Sequence, residues 1–580
     1  MQKCPQGHER AGELVLSEAE LVLSPGPIDN RIVFVLGYRI TLSIHCRCFL
    51  ENFLSIFQSL PTYVYINHKG ARRMEKKDYQ ADRRKFLAGM GMAGAAVLAA
   101  PAINAVASQS KVKWDEEHEI VIIGSGFTGL AAAIEAKKLG ATDIVVYDKM
   151  PYFGGNSTYN GGLFAVPASP LQQEKGVKDS PEIMADDQVK AGRGVAYKDL
   201  LLHVAKHANE ALQMTLDAGS EYLPYLQQLG GHSVPRTYQT IEACGAGIIR
   251  PLVNQCRKLG IKLVTRAKFD SLVFDDKGTV VGAKMMMGHY FGRDVEGTAV
   301  NVRSKRGVLI ATGGFARNVG LRSAQDPTLT EEVPSTNPPS ATGEALLEMF
   351  RVGAVPVHMA YIQTGPWASP DEDGFGYVSN YSIYNFAHSI SVNVKTGKRF
   401  MNEIADRKTR ADAQLALRKD DGSPLPPITI TSYEHAKEHP TMEKVLKYDV
   451  GWKFDTVEEL AAHFDVPLEP LKNQIEEYNG YVKSGVDEQF GKPMGKAEGK
   501  YIHAPFVVVR NWPKVHYCQG GAQIDVHARV IDSNTWKAIP GLYAGGEVTG
   551  GMHGVSRLGS CSIPDCMVMG MTAARTMMKS

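Results

Sequence analysis

The chain has 580 residues, 44% hydrophobic and 22% charged, the make-up of a soluble globular protein long enough for two or more well-buried domains. A formal net charge of +2 removes any electrostatic case for nucleic acid or an acidic partner. The eight cysteines fall at no repeating spacing, so no disulfide framework, c-type haem attachment or zinc motif follows, and no metal site is expected.

The N-terminus reads as an address. Asp82-Arg83-Arg84-Lys85-Phe86-Leu87 is a twin-arginine pattern, followed by an apolar stretch of small residues over 88–100 and the cleavage-like triplet Ala105-Val106-Ala107. The stretch is too short for a stable membrane span; a buried Ala/Gly-rich helix is the competing reading. Twin-arginine export carries folded proteins, so the segment predicts a periplasmic protein loaded with its cofactor before export. Residues 1–73 precede this signal, with apolar runs broken by Arg31, Arg39 and Arg47. They are expected to be a non-native or mis-started extension, with Met74 as the true start of a signal over 74–107. A cellular precursor whose intact mass includes residues 1–73 would overturn that.

Glu119–Ile123 is a β-branched apolar run suited to a buried parallel strand. Gly124-Ser125-Gly126-Phe127-Thr128-Gly129 follows, then a helical stretch Leu130–Leu139 and a second strand Ile144–Tyr147 ending at Asp148-Lys149. Glycines there allow a tight turn, bring backbone N–H groups and a helix N-terminus to a pyrophosphate, and leave Asp148 to meet a ribose. With strands, helix and acid all in order, this is a dinucleotide-binding βαβ unit. Three further segments choose between FAD and NAD. Gly154-Gly155-Asn156-Ser157 with Asn160-Gly161-Gly162, the strand-and-glycine segment Gly307–Gly314 carrying Ala311-Thr312-Gly313-Gly314, and Gly545-Gly546-Glu547 with Ser562-Ile563 would all converge on one cofactor. A long FAD gripped by segments remote in sequence explains that return; a contiguous NAD domain does not.

With these segments assembled, the sequence from about Glu117 onward resembles the flavoprotein family of fumarate reductases, succinate dehydrogenases, urocanate reductases and 3-ketosteroid dehydrogenases. The motifs carrying the resemblance are Gly545–Gly559, Ser340-Ala-Thr-Gly-Glu-Ala-Leu346 and Gly397-Lys-Arg-Phe-Met-Asn-Glu403. It implies an α/β, Rossmann-like FAD domain in two parts, 112–356 and 512–580, interrupted by an α+β capping domain at 357–511. FAD is expected to be noncovalent, because no histidine occurs in Gly154–Gly162, where covalently flavinylated relatives carry one.

The resemblance also implies the chemistry. In the fumarate reductases an arginine after the Gly-Lys-Arg-Phe segment gives the proton, and the matching residue is Arg407. On its own Arg407 reads as a surface arginine in the run Asp406–Arg410. His516 and Arg557 match the pair that holds a substrate carboxylate, for which a guanidinium fork and an imidazole are suited. The departures bear on the substrate. A second histidine clamp is replaced by Gln363-Thr364-Gly365-Pro366-Trp367, and Ser382-Ile383 stands where the family has Thr-Glu. The stretch 367–384 carries Trp367, Tyr381, Tyr384 and the acids Asp371, Glu372 and Asp373. One carboxylate clamp without the other implies an α,β-unsaturated monocarboxylate, held by His516 and Arg557 with Gly365, Trp367, Tyr381, Ser382 and Tyr384 about its far end. Urocanate or a cinnamate-type acid is the expectation, with acrylate or methacrylate leaving the aromatic residues underused. One of Asp371, Glu372, Asp373 and Asp406, or water, would return the proton to Arg407. Electrons are expected from a separate periplasmic cytochrome c. The alternatives are a fumarate reductase, a 3-ketosteroid-type dehydrogenase and a non-catalytic flavin electron carrier.

Overall fold

The computed structural model describes residues 112–580 apart from 294, together with an antiparallel strand pair, Tyr63–Asn67 against Gly70–Met74. Arg83-Arg84, the apolar stretch over 88–100 and the triplet at 105–107 lie outside the described residues.

Ile120–Ile123 forms the strand its β-branched run predicts, with all four side chains buried. It pairs in parallel with Ile144–Tyr147 on one side and Val308–Ile310 on the other. Lys262–Val264 and Ala538–Ala544 extend the sheet in parallel, and Arg529–Ile531 closes one edge antiparallel. Five parallel strands joined through helices make a mixed α/β fold whose core is buried on both faces. The helix after the first strand runs Phe127–Lys138, three residues earlier than hydropathy suggests. Its start is set by the glycines. Gly124 has φ +107°, and a Cβ there would lie 2.2 Å from the Ala311 carbonyl oxygen of the neighbouring strand end. A Cβ on Gly129 would sit 1.9 Å from the Gly124 carbonyl oxygen, so the helix can lie close on its own strand only without a side chain. The C-terminal helix Ser562–Lys579 packs along Phe127–Lys138.

A second sheet of four strands, in the order Glu116–His118, Thr298–Ser304, Val280–Met287, Ala267–Phe274, lies beside the first. Between residues 390 and 510 the chain builds a five-stranded antiparallel sheet with its own apolar core. Its strand order is Lys398–Arg399, Ile390–Asn393, Ile428–Ser432, Phe506–Arg510, Trp452–Phe454. Within it Arg399 is fully buried and bonds Glu403 and Asp487 at 2.9 Å each, while buried Lys492 lies 3.2 Å from Glu403. Isolated buried charge is costly, and this four-membered group is mutually compensated. It fixes the backbone immediately before Arg407. The chain enters and leaves this region through strands that pair with each other, Ile362–Gly365 and Lys514–Cys518.

Candidate active site

A single cavity with an empty volume of about 1330 Å³, its open mouth included, runs through the α/β part of the molecule. Its walls collect Gly124, Gly126, Phe127 and Thr128, then Asp148 and Lys149, then Gly155, Asn156, Ser157 and Asn160. Ala311, Thr312, Gly313 and Gly314 follow from the next strand end, with Glu547 and Ser562 from the C-terminal segment. Five of the residues expected at the cofactor stand behind this lining. Gly129 serves helix–strand packing, as above. A Cβ on Gly162, at φ +65°, would meet Thr240 Oγ1 at 2.2 Å, and one on Gly546 would meet Thr128 Oγ1 at 2.5 Å. Gly161 lies against Leu163 and Asn380, and Ile563 is core. The lining also includes Lys268, Ser340 and Glu344, which sequence reading did not assign to the cofactor, although Ser340 and Glu344 fall in a motif it had singled out.

The residues present fit an FAD. Thr312 Oγ1 is buried without a hydrogen-bond partner, and the open side of Gly155 and Gly313, both at positive φ, meets no protein atom within 4 Å. These are the signatures of backbone cradling a ligand. Ser157 Oγ accepts from Phe127 N at 3.1 Å at the start of the first helix. Asp148 is tied to its own loop: Oδ2 accepts from Ser125 N at 3.1 Å and from the Ser125 hydroxyl, and Oδ1 from Met150 N at 2.9 Å. Glu547 accepts from Cys518 N at 2.9 Å and Asn156 Nδ2 at 3.1 Å, and burial pushes its carboxyl up to about 7.

His516 and Arg557 line the same cavity. Arg557 Nη2 lies 3.4 Å from His516 Nε2, and Thr336 Oγ1 lies 2.9 Å from His516 Nδ1. A guanidinium can only donate, so Nε2 presents its lone pair and the ring proton sits on Nδ1 facing Thr336. Burial, then the charges of Arg557 and Arg407, hold this imidazole well below its ordinary pKa. Arg557 is buried, its Cζ lies 4.7 Å from the Tyr517 ring centroid, and its Nε has no partner.

Arg407 is the first residue of the helix Arg407–Leu415. That helix starts here because Asp406 caps it, accepting from Lys408 N at 3.0 Å and Thr409 N at 3.2 Å. Arg407 is part-buried as a residue, but its guanidinium is turned inward. Nη1 donates to Gln363 Oε1 at 2.8 Å, Cζ lies 4.6 Å from the Trp367 ring centroid, and Nη2 would be 3.4 Å from a Cβ on Gly559. Burial first, then Arg557 and Arg410, lower its pKa well below the usual guanidinium value. The helix dipole acts in the same direction, because a cation at a helix N-terminus faces partial positive charge. Among the described residues neither Arg407 nor Arg557 has a carboxylate within 4.0 Å, so the two unpaired cations make a site for an anion.

Gln363 joins these groups and was not among the expected site residues. Its Nε2 donates to Ser556 Oγ at 3.0 Å and to the Arg557 carbonyl at 3.2 Å while its Oε1 receives Arg407. Its nearest sequence signal is Gly365, two residues on, in the place of the family's histidine.

The far-end residues divide. A Cβ on Gly365 would lie 2.9 Å from Trp367 Cζ2, so the indole occupies the space a side chain at 365 would enter. Trp367 also meets His516 edge-on at 5.2 Å between centroids, and Phe375 lies 6.0 Å from His516. Tyr381 is fully buried in an apolar cluster with Val378, Met442 and Val507. Ser382 accepts from Asn511 Nδ2 at 3.0 Å, and Tyr384 is part-exposed against His439 and Glu438. The acids are committed as well. Asp371 pairs with Arg510, Glu372 accepts from Tyr377 N and Val378 N at a helix start, and Asp373 lies 3.2 Å from Arg317. Aromatic and acidic residues cluster in the sequence here because they pack and cap.

The chain matches the family described as FAD binding domain over residues 119–563. Acrylate reductase flavoprotein subunit of Shewanella woodyi is 65% identical over 507 residues, covering 87% of this chain and all of the relative. Urocanate reductase of Eggerthella lenta is 32% identical, over 78% of this chain and 73% of the relative. Among solved structures, the open conformation of a flavocytochrome c3 fumarate reductase superposes with a TM-score of 0.68 at 28% identity, over 80% of this chain and 79% of that one.

Proposed function

We propose that this chain, which belongs to the FAD binding domain family of flavoprotein reductases, reduces the C=C bond of a small α,β-unsaturated monocarboxylate of the acrylate type. The carrying observation is the Trp367 indole standing where a residue at 365 would project, with Arg407 stacked on it and His516 against its edge. His516 and Arg557, with Arg407 beside them, offer a single cluster of donors to one carboxylate, and the buried Trp367 fills the space beyond Gly365. A dicarboxylate's second anion would find the Trp367 indole at 365–367 in place of a second imidazole donor, and a buried anion short of donors is costly. The acids near Trp367 are engaged elsewhere, which removes the support that an imidazole-bearing substrate had in the sequence. The 65% identical relative named for acrylate agrees with a short substrate.

Gly124, Gly126, Gly155, Gly313 and Glu547 would hold an FAD, which when bound would supply the hydride for the substrate carbon. Arg557 offers a bidentate fork to the carboxylate. An anion entering beside His516 favours the imidazolium, whose Nε2–H adds a second donor. The fixed carboxylate and its cations draw electron density from the alkene as hydride arrives. Arg407 gives a guanidinium proton to the neighbouring carbon, held there by Gln363 and Trp367, and the indole keeps water from that end. The protein is a separate flavin-bearing partner of an electron-donating chain, a periplasmic cytochrome c being the donor consistent with twin-arginine export; the word subunit in the relative's name fits such a division. No helix among the described residues is long and apolar enough to cross a membrane.

The test is a panel of acrylate, methacrylate, urocanate, cinnamate and fumarate assayed with reduced methyl viologen as donor. Acrylate is expected to give the highest kcat/KM. Urocanate or cinnamate in first place overturns the short-substrate reading, and fumarate above every monocarboxylate overturns the missing second clamp.

A further inference from the structure

Away from the cavity, on the five-stranded sheet, Glu434, His435 and His503 bring three metal-ligating atoms within 4.8 Å of one another. Glu434 Oε1 lies 3.1 Å from His503 Nε2 and 3.2 Å from His435 Nε2. Tetrahedral zinc with arms of about 2.0–2.1 Å has ligand–ligand edges of roughly 3.3 Å, so both separations match the edges of such a site. His435 is 8% exposed, and its Nε2 is buried with no hydrogen-bond partner. Its contact with Glu434 has the distance of a hydrogen bond without the direction. An orphaned imidazole nitrogen facing a carboxylate and a second imidazole calls for a cation between them.

The outer groups are arranged accordingly. His503 Nδ1 donates to the Ala504 carbonyl at 2.9 Å and Nε2 to Glu434 Oε1 at 3.1 Å, so without a metal a proton bridges Nε2 and Glu434, at the place a cation would take on binding. His435 Nδ1 lies 3.6 Å from Glu438 Oε1, and Glu438 is itself held by Lys500 at 2.6 Å. The His503 ring is backed by a carbonyl, and Glu438 stands at ion-pair distance behind His435, the kind of outer-sphere support that orients metal-binding histidines. The two chain segments are also pinned: Ser432 Oγ accepts from His503 N at 2.7 Å and donates to the Tyr501 carbonyl at 2.8 Å, and Tyr433 N donates to the Pro505 carbonyl at 2.7 Å.

We propose that Glu434, His435 and His503 bind a divalent transition-metal ion of the zinc type, with water in the fourth position. Glu434 and His503 are exposed, so the open position faces solvent. No spacing motif announced the site, because His503 reaches the Glu434-His435 pair only through the pairing of Ile428–Ser432 with Phe506–Arg510.

The test uses the FAD-loaded full chain, stripped with a chelator and titrated with Zn²⁺, and with Co²⁺ for its visible spectrum. Wild type is expected to take up one more equivalent than Glu434→Gln or His503→Ala, and to show the intense bands of tetrahedral Co²⁺ that both variants lack. Both positions are exposed, so the variants fold. Glu438→Gln is expected to weaken binding by about 10–100-fold, the effect of losing an outer-sphere partner. Equal metal content and equal Co²⁺ spectra in wild type and the Glu434 and His503 variants overturn the site, whatever metal the other histidines collect.

Discussion

Arg407→Ala lowers kcat for enoate reduction by about 10²–10⁴-fold, the usual worth of a positioned acid, while bound FAD is unchanged. Steady-state turnover with reduced methyl viologen, beside the flavin absorbance of the same sample, checks both parts. A variant with wild-type kcat removes Arg407 from the chemistry. The size of the effect follows from how the guanidinium is kept acidic. It is turned out of solvent, faces Arg557 and Arg410, and stands at the N-terminus of its own helix. Each of these favours releasing the proton. The proton donor is the charged form, so wild-type turnover falls as pH rises through the lowered pKa, and that alkaline limb disappears in the alanine variant. Lysine at 407 keeps a charge but loses the planar contact with Trp367 and the fork that meets Gln363.

Glu403→Ala destabilises the region of the five-stranded sheet by about 3–5 kcal/mol, because it leaves Arg399 and Lys492 buried with one carboxylate instead of two. Limited proteolysis and thermal unfolding of the FAD-loaded protein read this; an unchanged midpoint overturns it. Burial opposes ionisation of Glu403, and Lys492 with Arg399 more than offsets that, so its pKa is lowered in the folded protein. A carboxyl with a depressed folded pKa contributes stability above its unfolded value of about 4.3, and that contribution is lost as pH falls through the folded value. The five-stranded region is therefore acid-labile in wild type, and Glu403→Gln flattens that dependence. Turnover suffers in both variants only as far as Arg407, four residues on, is displaced.

The flavin grip was legible because its residues are held by backbone geometry. Gly124, Gly126 and the Gly313-Gly314 pair sit at strand ends and helix starts, where local sequence dictates conformation. That the Arg407 guanidinium turns inward and that His516 meets Arg557 followed only from family resemblance, since nothing local distinguishes an inward guanidinium from a solvated one. What escaped was decided by tertiary contact. Gln363 matters because two arginines happen to meet at its amide. Tyr381 and Tyr384 sit three residues apart on one helix, yet one packs into a core and the other faces outward. The acids Asp371, Glu372 and Asp373 found partners in Arg510, a helix start and Arg317, none predictable from spacing. Glu434, His435 and His503 meet only across a sheet.

The pairing of Ile362–Gly365 with Lys514–Cys518 places the two ends of the intervening segment side by side. A segment whose ends already touch can be lengthened, shortened or exchanged without reopening the scaffold that carries it, because the entropy of bringing those ends together has been met by the ladder itself. The same two strands carry Gln363 and His516. What lies between them, Trp367 and Arg407 included, can therefore change in length without moving Gln363 or His516.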